Sequence, residues 1–313
     1  MGAGREYQSD ACREQRHVGV GAATELEMLV PRSGGPAATS IVLALPVEDC
    51  GTSTKEYGSA IGLIRSSGWL AAHPAVAIAT PAFSTTPWFG DNPASSGGPR
   101  VRQESYLTEV ICPYLLGGAH GLPIARNATV SLLGFSKSGW GSFSLLLRNE
   151  KTFARAALWD APTMLGADYC AWLRDHDKGK PQDLWGMMEV FGDCETWRKY
   201  SPIEIVERGG RDVVQRFAAA SAGAGDAPRI WLGGQHYFGP MCASSSDGTQ
   251  PGFPFNHTVD FHAALTARSI AHAYDDSLDP GRHEWSWLWM QPALEFLLAP
   301  LRGAREGGEE DLE

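Results

Sequence analysis

The sequence has no apolar run of the roughly 18–20 residues that a membrane-crossing helix needs, so a bilayer span is not expected. It has no surplus of positive charge: 26 Lys and Arg stand against 36 Asp and Glu, a net charge of −10. A chain this acidic repels phosphate backbones, which argues against general nucleic-acid binding. It has no CxxC pair, which argues against a zinc knuckle or a thioredoxin-type site. The six cysteines (Cys12, Cys50, Cys112, Cys170, Cys194 and Cys242) are scattered and read as buried free thiols. There is no internal repeat, no heptad pattern and no three-residue glycine period, so coiled coil and collagen are out. The first 16 residues are polar, without the apolar core of a signal peptide, and the expected location is the cytoplasm. Asn127-Ala-Thr and Asn256-His-Thr are glycosylation sequons that matter only in a secretory compartment, and they read as chance matches.

What is present is a globular composition. Of 313 residues, 43% are hydrophobic and 20% charged, which excludes a disordered chain. A chain of this length buries about three quarters of its unfolded surface. One domain is expected over 17–302, with a loose start (1–16) and an acidic, Gly-rich tail (303–313).

Short apolar runs alternate with helical segments. The strand candidates are Ser40–Leu45, Ala75–Ala79, Ala128–Leu133, Ala154–Trp159, Arg229–Leu232 and Ala271–Tyr274. Continuous rather than alternating apolar runs suit strands covered on both faces, as in a parallel sheet. Helix candidates are 138–149, 258–268 and 289–301. The expected class is therefore α/β, with a mostly parallel central sheet and helices on both faces. The interval 161–228 holds no core-strand candidate but many aromatic residues, and reads as a helical insert over one edge of the sheet.

The sharpest local signal is Gly134-Phe-Ser-Lys-Ser-Gly-Trp-Gly141, between a strand candidate and a helix candidate. A nucleophile at such a turn sits in strained backbone and crowds the residues two before and two after it. Gly134 and Ser138 are small enough for this. Gly139 and Gly141 would let the helix lie close to the sheet. Ser136 then projects above the sheet edge, with the Lys137 N–H at the helix N-terminus facing a developing oxyanion.

These residues resemble the α/β-hydrolase superfamily, in particular its esterase branch of the esterase D type. The stretch Gly134 to Pro162 is similar to that branch's nucleophile elbow, following helix and next strand. Pro87 to Pro93 and Arg102 to Leu107 resemble its segment before the elbow. The resemblance covers roughly Ile41 to Leu298. It implies an α/β-hydrolase fold and hydrolysis of esters or related acyl compounds without a cofactor or metal.

In that fold the triad runs in the order nucleophile, acid, histidine. His283, in Pro280-Gly-Arg-His-Glu-Trp, follows the last strand candidate and precedes the last helix, where the superfamily keeps its base. His262 falls on a helix and reads as structural. His236 follows Arg229–Leu232 and is a candidate pocket residue. The superfamily usually keeps its acid in that same loop, but here no carboxylate appears until Asp247. A variant of the family carries the acid one strand earlier, which selects Asp160 at the end of Leu158-Trp159-Asp160. Asp247, Asp260 and Asp275 are the alternatives. The second oxyanion donor is expected from Val47 or Glu48, since Pro46 has no N–H. Lys137 carries a side chain expected to be solvated. Trp88, Trp140 and Trp285 are expected to wall a pocket for a hydrophobic or aromatic ester.

The expected function is cleavage of a small-molecule carboxylic ester through an acyl-serine intermediate. Acyl transfer or peptide cleavage on the same triad is one alternative. An inactive hydrolase fold serving as a binding protein is another, favoured by the missing carboxylate after Arg229–Leu232.

Overall fold

A computed structural model describes residues 7–12, 24–31, 34–47, 57–83, 86–92, 101–118, 121–166, 170, 187–208, 215, 228–234, 256–277 and 283–300. The chain opens with β1 (Tyr7–Cys12), β2 (Thr24–Leu29) and β3 (Ala38–Ala44), then α1 (Ala60–Ser67) and β4 (Val76–Pro81). A small ladder of β5 (Asp91–Asn92) and β6 (Val101–Arg102) leads into α2 (Gln103–Ser105), a π-helical turn (Tyr106–Ile111) and α3 (Cys112–Gly117). The central strand β7 (Ile124–Phe135) runs into α4 (Ser136–Arg148), followed by β8 (Ala156–Trp159). Among the described residues three short helices come next: α5 (Met187–Phe191), α6 (Cys194–Tyr200) and α7 (Pro202–Glu207). The chain closes with β9 (Ile230–Gly233), α8 (His257–Ala267), β10 (Ala273–Asp275) and α9 (Trp287–Leu298).

Eight strands form one sheet in the order β1-β2-β4-β3-β7-β8-β9-β10. Pairings from β4 through β10 are parallel, while β2 runs antiparallel to both its neighbours. Each of the six strand candidates lies in this sheet. The β1–β2 pair is an addition, and it corrects the expectation of loose structure over 1–16 for residues 7–12. Tyr-Gln-Ser-Asp-Ala-Cys is too polar to stand out as an apolar run, and an edge strand has no need to be one.

Alternate residues of each parallel strand enter two separate cores, because successive side chains point to opposite faces. Ile41, Leu43, Leu132 and Leu158 join α4, α8 and the helical run before β7 on one face. Val42, Ala44, Leu133, Phe135, Ala157 and Trp159 join α1 and α9 on the other. Covering both faces is what makes the sequence of these strands continuously apolar. A third cluster sits beyond the first: Trp140 on α4 packs with Trp88, Phe191, Trp197, Tyr200 and Cys170.

Two of the cysteines expected to be free are not. Cys170 and Cys194 form a disulfide with an S–S distance of 1.99 Å and a Cα–Cα distance of 5.6 Å. The spacing of 24 residues carries no sequence signal for such a bridge. Cys112 is a buried free thiol, as expected, and burial pushes its pKa up to about 12.

Candidate active site at the C-terminal sheet edge

The register of the parallel ladder builds the site. Phe135 on β7 pairs with Trp159 on β8, which pairs with Gly233 on β9. Ser136, Asp160 and Gly234 are therefore the first residues beyond the ladder on three adjacent strands. All three have left-handed backbone, with φ of 55°, 44° and 94°. Such backbone is costly for a residue with a Cβ, so Ser136 and Asp160 are held there by their surroundings.

The surroundings of Ser136 are tightly constrained. A Cβ on Gly134 would lie 2.3 Å from the Ser138 carbonyl oxygen and 2.4 Å from Ser142 Oγ. One on Gly139 would lie 2.8 Å from Ala161 Cβ, so Gly139 lets α4 close on β8. Gly141, expected to do the same, instead makes room for Phe89, whose ring would be 2.0 Å from such a Cβ. The Phe135 N–H donates to Ser138 Oγ (3.0 Å), and that hydroxyl donates to the Phe135 carbonyl (2.8 Å). A serine two residues after Ser136 thus ties the helix start back to the strand, which a glycine there would not do.

Ser136 Oγ lies 2.9 Å from His283 Nε2. His283 Nδ1 lies 3.8 Å from Asp160 Oδ2, with both side chains buried at 7% and 2% exposure. That second distance is longer than the hydrogen bond expected between acid and base. Among the described residues neither Asp160 oxygen accepts a hydrogen bond. Gly234 faces the same carboxylate: a Cβ there would be 2.6 Å from Asp160 Oδ1. The imidazole is seated against the rings of Phe135 (4.6 Å between centroids) and Tyr57 (5.8 Å). The Trp285 N–H donates to the Tyr57 carbonyl at 2.9 Å, fastening the histidine segment to the chain before α1.

The other candidates fall elsewhere. Asp260 accepts from the Asn256 N–H at the start of α8 (2.8 Å). Asp275 accepts from the Ser277 N–H and hydroxyl (2.9 and 2.6 Å). His262 Nδ1 lies 2.7 Å from His272 Nε2, tying α8 to the approach of β10. Glu48, His236 and Asp247 lie outside the described residues; Val47 follows β3 and is buried.

Two expectations are corrected by burial. Trp88 and Trp140 are 0% exposed and meet edge to face at 5.1 Å, with Trp140 stacked on Trp197 at 4.5 Å. Trp285 packs on Phe135 and Trp159. These indoles are core beneath the site rather than pocket walls, because a face so rich in large rings is consumed by packing among themselves. Lys137 is also buried, with its ammonium 6.0 Å from the Trp88 ring centroid, a cation–π distance. Among the described residues no cluster of three or more metal-ligating side chains occurs. No described helix is long and apolar enough to cross a membrane.

No protein-family model matches the chain, and no curated protein matches it. Solved structures do. MPT51 of Mycobacterium tuberculosis is similar at a TM-score of 0.60 and 13% identity, over 94% of this chain and 97% of that one. An S-formylglutathione hydrolase from Agrobacterium tumefaciens is similar at 0.55 and 14%, over 93% and 91%. A ferulic acid esterase is similar at 0.55 and 12%, over 92% and 94%. The chain has the α/β-hydrolase fold. The sequence marks Gly234 only by the Gly233-Gly234 pair that closes a strand, and it does not mark the disulfide at all.

Proposed function

We propose that this protein is a serine hydrolase that cleaves carboxylic esters, with Ser136 as nucleophile, His283 as base and Asp160 as acid. The observation that carries this reading is the 2.9 Å separation of Ser136 Oγ and His283 Nε2, with Ser136 in left-handed backbone at the head of a helix. Ser136 Oγ attacks the ester carbonyl carbon while its proton passes to His283 Nε2. The resulting oxyanion is met by the Lys137 N–H at the N-terminus of α4, and by Val47 or Glu48 from the loop after β3. Collapse breaks the ester C–O bond, and His283 returns the proton to the leaving alcohol. A water, deprotonated by His283, then hydrolyses the acyl-serine. Asp160 stabilises the imidazolium formed at each step. The 3.8 Å gap shortens to a hydrogen bond as substrate binds, since catalytic contacts are commonly long in the free enzyme.

The substrate is a small-molecule ester; a carrier alcohol or amine replacing water would turn the same intermediate to acyl transfer. The Cys170–Cys194 disulfide favours an oxidising compartment over the cytoplasm. The long Asp160–His283 distance, together with the missing carboxylate after Arg229–Leu232, favours the inactive-fold reading. A fluorophosphonate probe decides between the two, because only an activated serine labels. We expect labelling that Ser136→Ala abolishes, together with turnover across a panel of p-nitrophenyl esters of increasing chain length. A folded protein that neither labels nor turns over any ester would leave the inactive fold.

A further inference from the structure

Asp160 is followed by a short turn, Ala161 to Leu165, that carries no regular structure of its own. The left-handed backbone of Asp160 is a cost that this turn must be held in place to sustain. Its internal bonds are few: the Thr163 N–H donates to the Ala161 carbonyl (2.8 Å) and the Leu165 N–H to the Pro162 carbonyl (3.2 Å). The remaining bonds reach outward. Ser201 Oγ donates to the Leu165 carbonyl at 2.7 Å. The other two go to one residue on α8. The Met164 N–H donates to His257 Nδ1 at 3.0 Å, and the Thr163 hydroxyl donates to the His257 carbonyl at 3.0 Å.

His257 is 2% exposed, and burial pushes its pKa down to about 3. It is a neutral imidazole throughout the working pH range. Because Nδ1 accepts from Met164, the ring proton sits on Nε2. A protonated ring would have no lone pair at Nδ1 and would release Met164. The tether thus exists only with a neutral, Nε2–H tautomer, which its burial enforces.

We infer that His257 is a positioning residue that holds the turn after Asp160, and so sets where the Asp160 carboxylate stands relative to His283. This rests on the proposed triad. His257 touches neither substrate nor reacting atoms; it acts through the four residues between Asp160 and Leu165. A tether of this kind matters because a displacement of about 1 Å in a catalytic group can cost about 10²-fold in rate.

The test uses two variants of the full chain. His257→Asn keeps an acceptor, Oδ1, near the place of Nδ1. His257→Leu removes the acceptor and leaves the Met164 N–H unpaired. Rates are corrected for the folded fraction, and kcat, KM and the pH profile of kcat/KM are measured on a p-nitrophenyl ester. His257→Leu is expected to lower kcat about 10²-fold with KM little changed. It is also expected to move the acid limb of kcat/KM to lower pH, because a displaced carboxylate stabilises the imidazolium less. His257→Asn should restore both. In an Asp160→Asn background, His257→Leu should cost nothing further, since its only route to the site is gone. Loss of folded protein with the acid limb unmoved, equal damage by Asn and Leu, or full additivity with Asp160→Asn would each overturn the positioning role. An Asp160→Asn variant with wild-type rate and profile would instead overturn the triad assignment itself.

Discussion

Ser136 and Asp160 share an unusual condition: each is the first residue past a parallel ladder, and each is left-handed at φ 55° and 44°. Left-handed backbone costs a non-glycine residue of order 1–3 kcal/mol. At Ser136 the cost is visible to experiment. Ser136→Gly removes both the hydroxyl and the Cβ that makes the conformation costly, so the variant should be inactive yet melt no lower than wild type. A substantially lower melting temperature would show that the hydroxyl contributes to folding, contrary to its role here. Gly234 gives the complementary case. Alanine there puts a Cβ within 2.6 Å of Asp160 Oδ1 and 3.2 Å of the Asp160 nitrogen, at a φ of 94° that alanine resists. Gly234→Ala should push the carboxylate from His283 and lower kcat, and slow fluorophosphonate labelling. Wild-type labelling by a folded Gly234→Ala would mean that the carboxylate's position is immaterial.

The elements differ in how openly their sequences declared them. Parallel strands were legible because burial on both faces makes them continuously apolar, and α4 was legible because steric demands concentrate small residues at Gly134, Gly139 and Gly141. Of these, Gly141 shows the limit of the reading: a glycine signals close approach but not by what, and here it is Phe89 rather than the sheet. Asp160, the acid proposed at the end of β8, stands out in the sequence only through the family resemblance, since a lone Asp after a strand has no signature. His257 had none at all. Its role depends on α8 lying over the turn after Asp160, a contact between residues about a hundred positions apart. The aromatic insert was legible as helical but not as stapled. Helix α6 begins at Cys194 and carries Trp197 onto Trp140 of α4. Ser144 Oγ donates to the Tyr200 carbonyl at 2.6 Å and Arg148 to the Lys199 carbonyl at 2.9 Å, so the end of α6 is bolted to α4. Closing a loop of this length stabilises by about 3 kcal/mol. Reducing agent, or Cys194→Ala, should therefore lower the melting temperature measured by circular dichroism. Identical melting with and without reductant, under conditions where thiol titration shows the bridge cleaved, would remove the staple from the account.

For the molecule as a whole, the buried histidines make stability depend on pH in a defined direction. Burial lowers the pKa of His257 to about 3, and lowers that of His272 through burial with the nearby His262 adding to it. An unfolded histidine titrates near ~6.5. Between these values the unfolded chain binds a proton that folded His257 refuses. Stability is therefore full above about pH 6.5 and falls as pH drops toward 3, by at most about 1.4 kcal/mol per pH unit from His257. His272 adds in the same direction, but it is half-buried and solvent-screened, so its share is smaller. The interval from pH 7 to 5.5 isolates this effect, because carboxylates titrate mostly below it. The urea midpoint should fall across that interval with the m-value unchanged. His257→Asn, which removes the titrating group and keeps the acceptor for Met164, should flatten the slope while leaving catalysis at pH 7 close to wild type. A wild-type midpoint that is level from pH 7 to 5.5 would mean that His257 takes up its proton in the folded state. At pH 5.5 the Met164 N–H would then have no lone pair to meet at Nδ1, and the tether on the Asp160 turn would be lost as the pH falls.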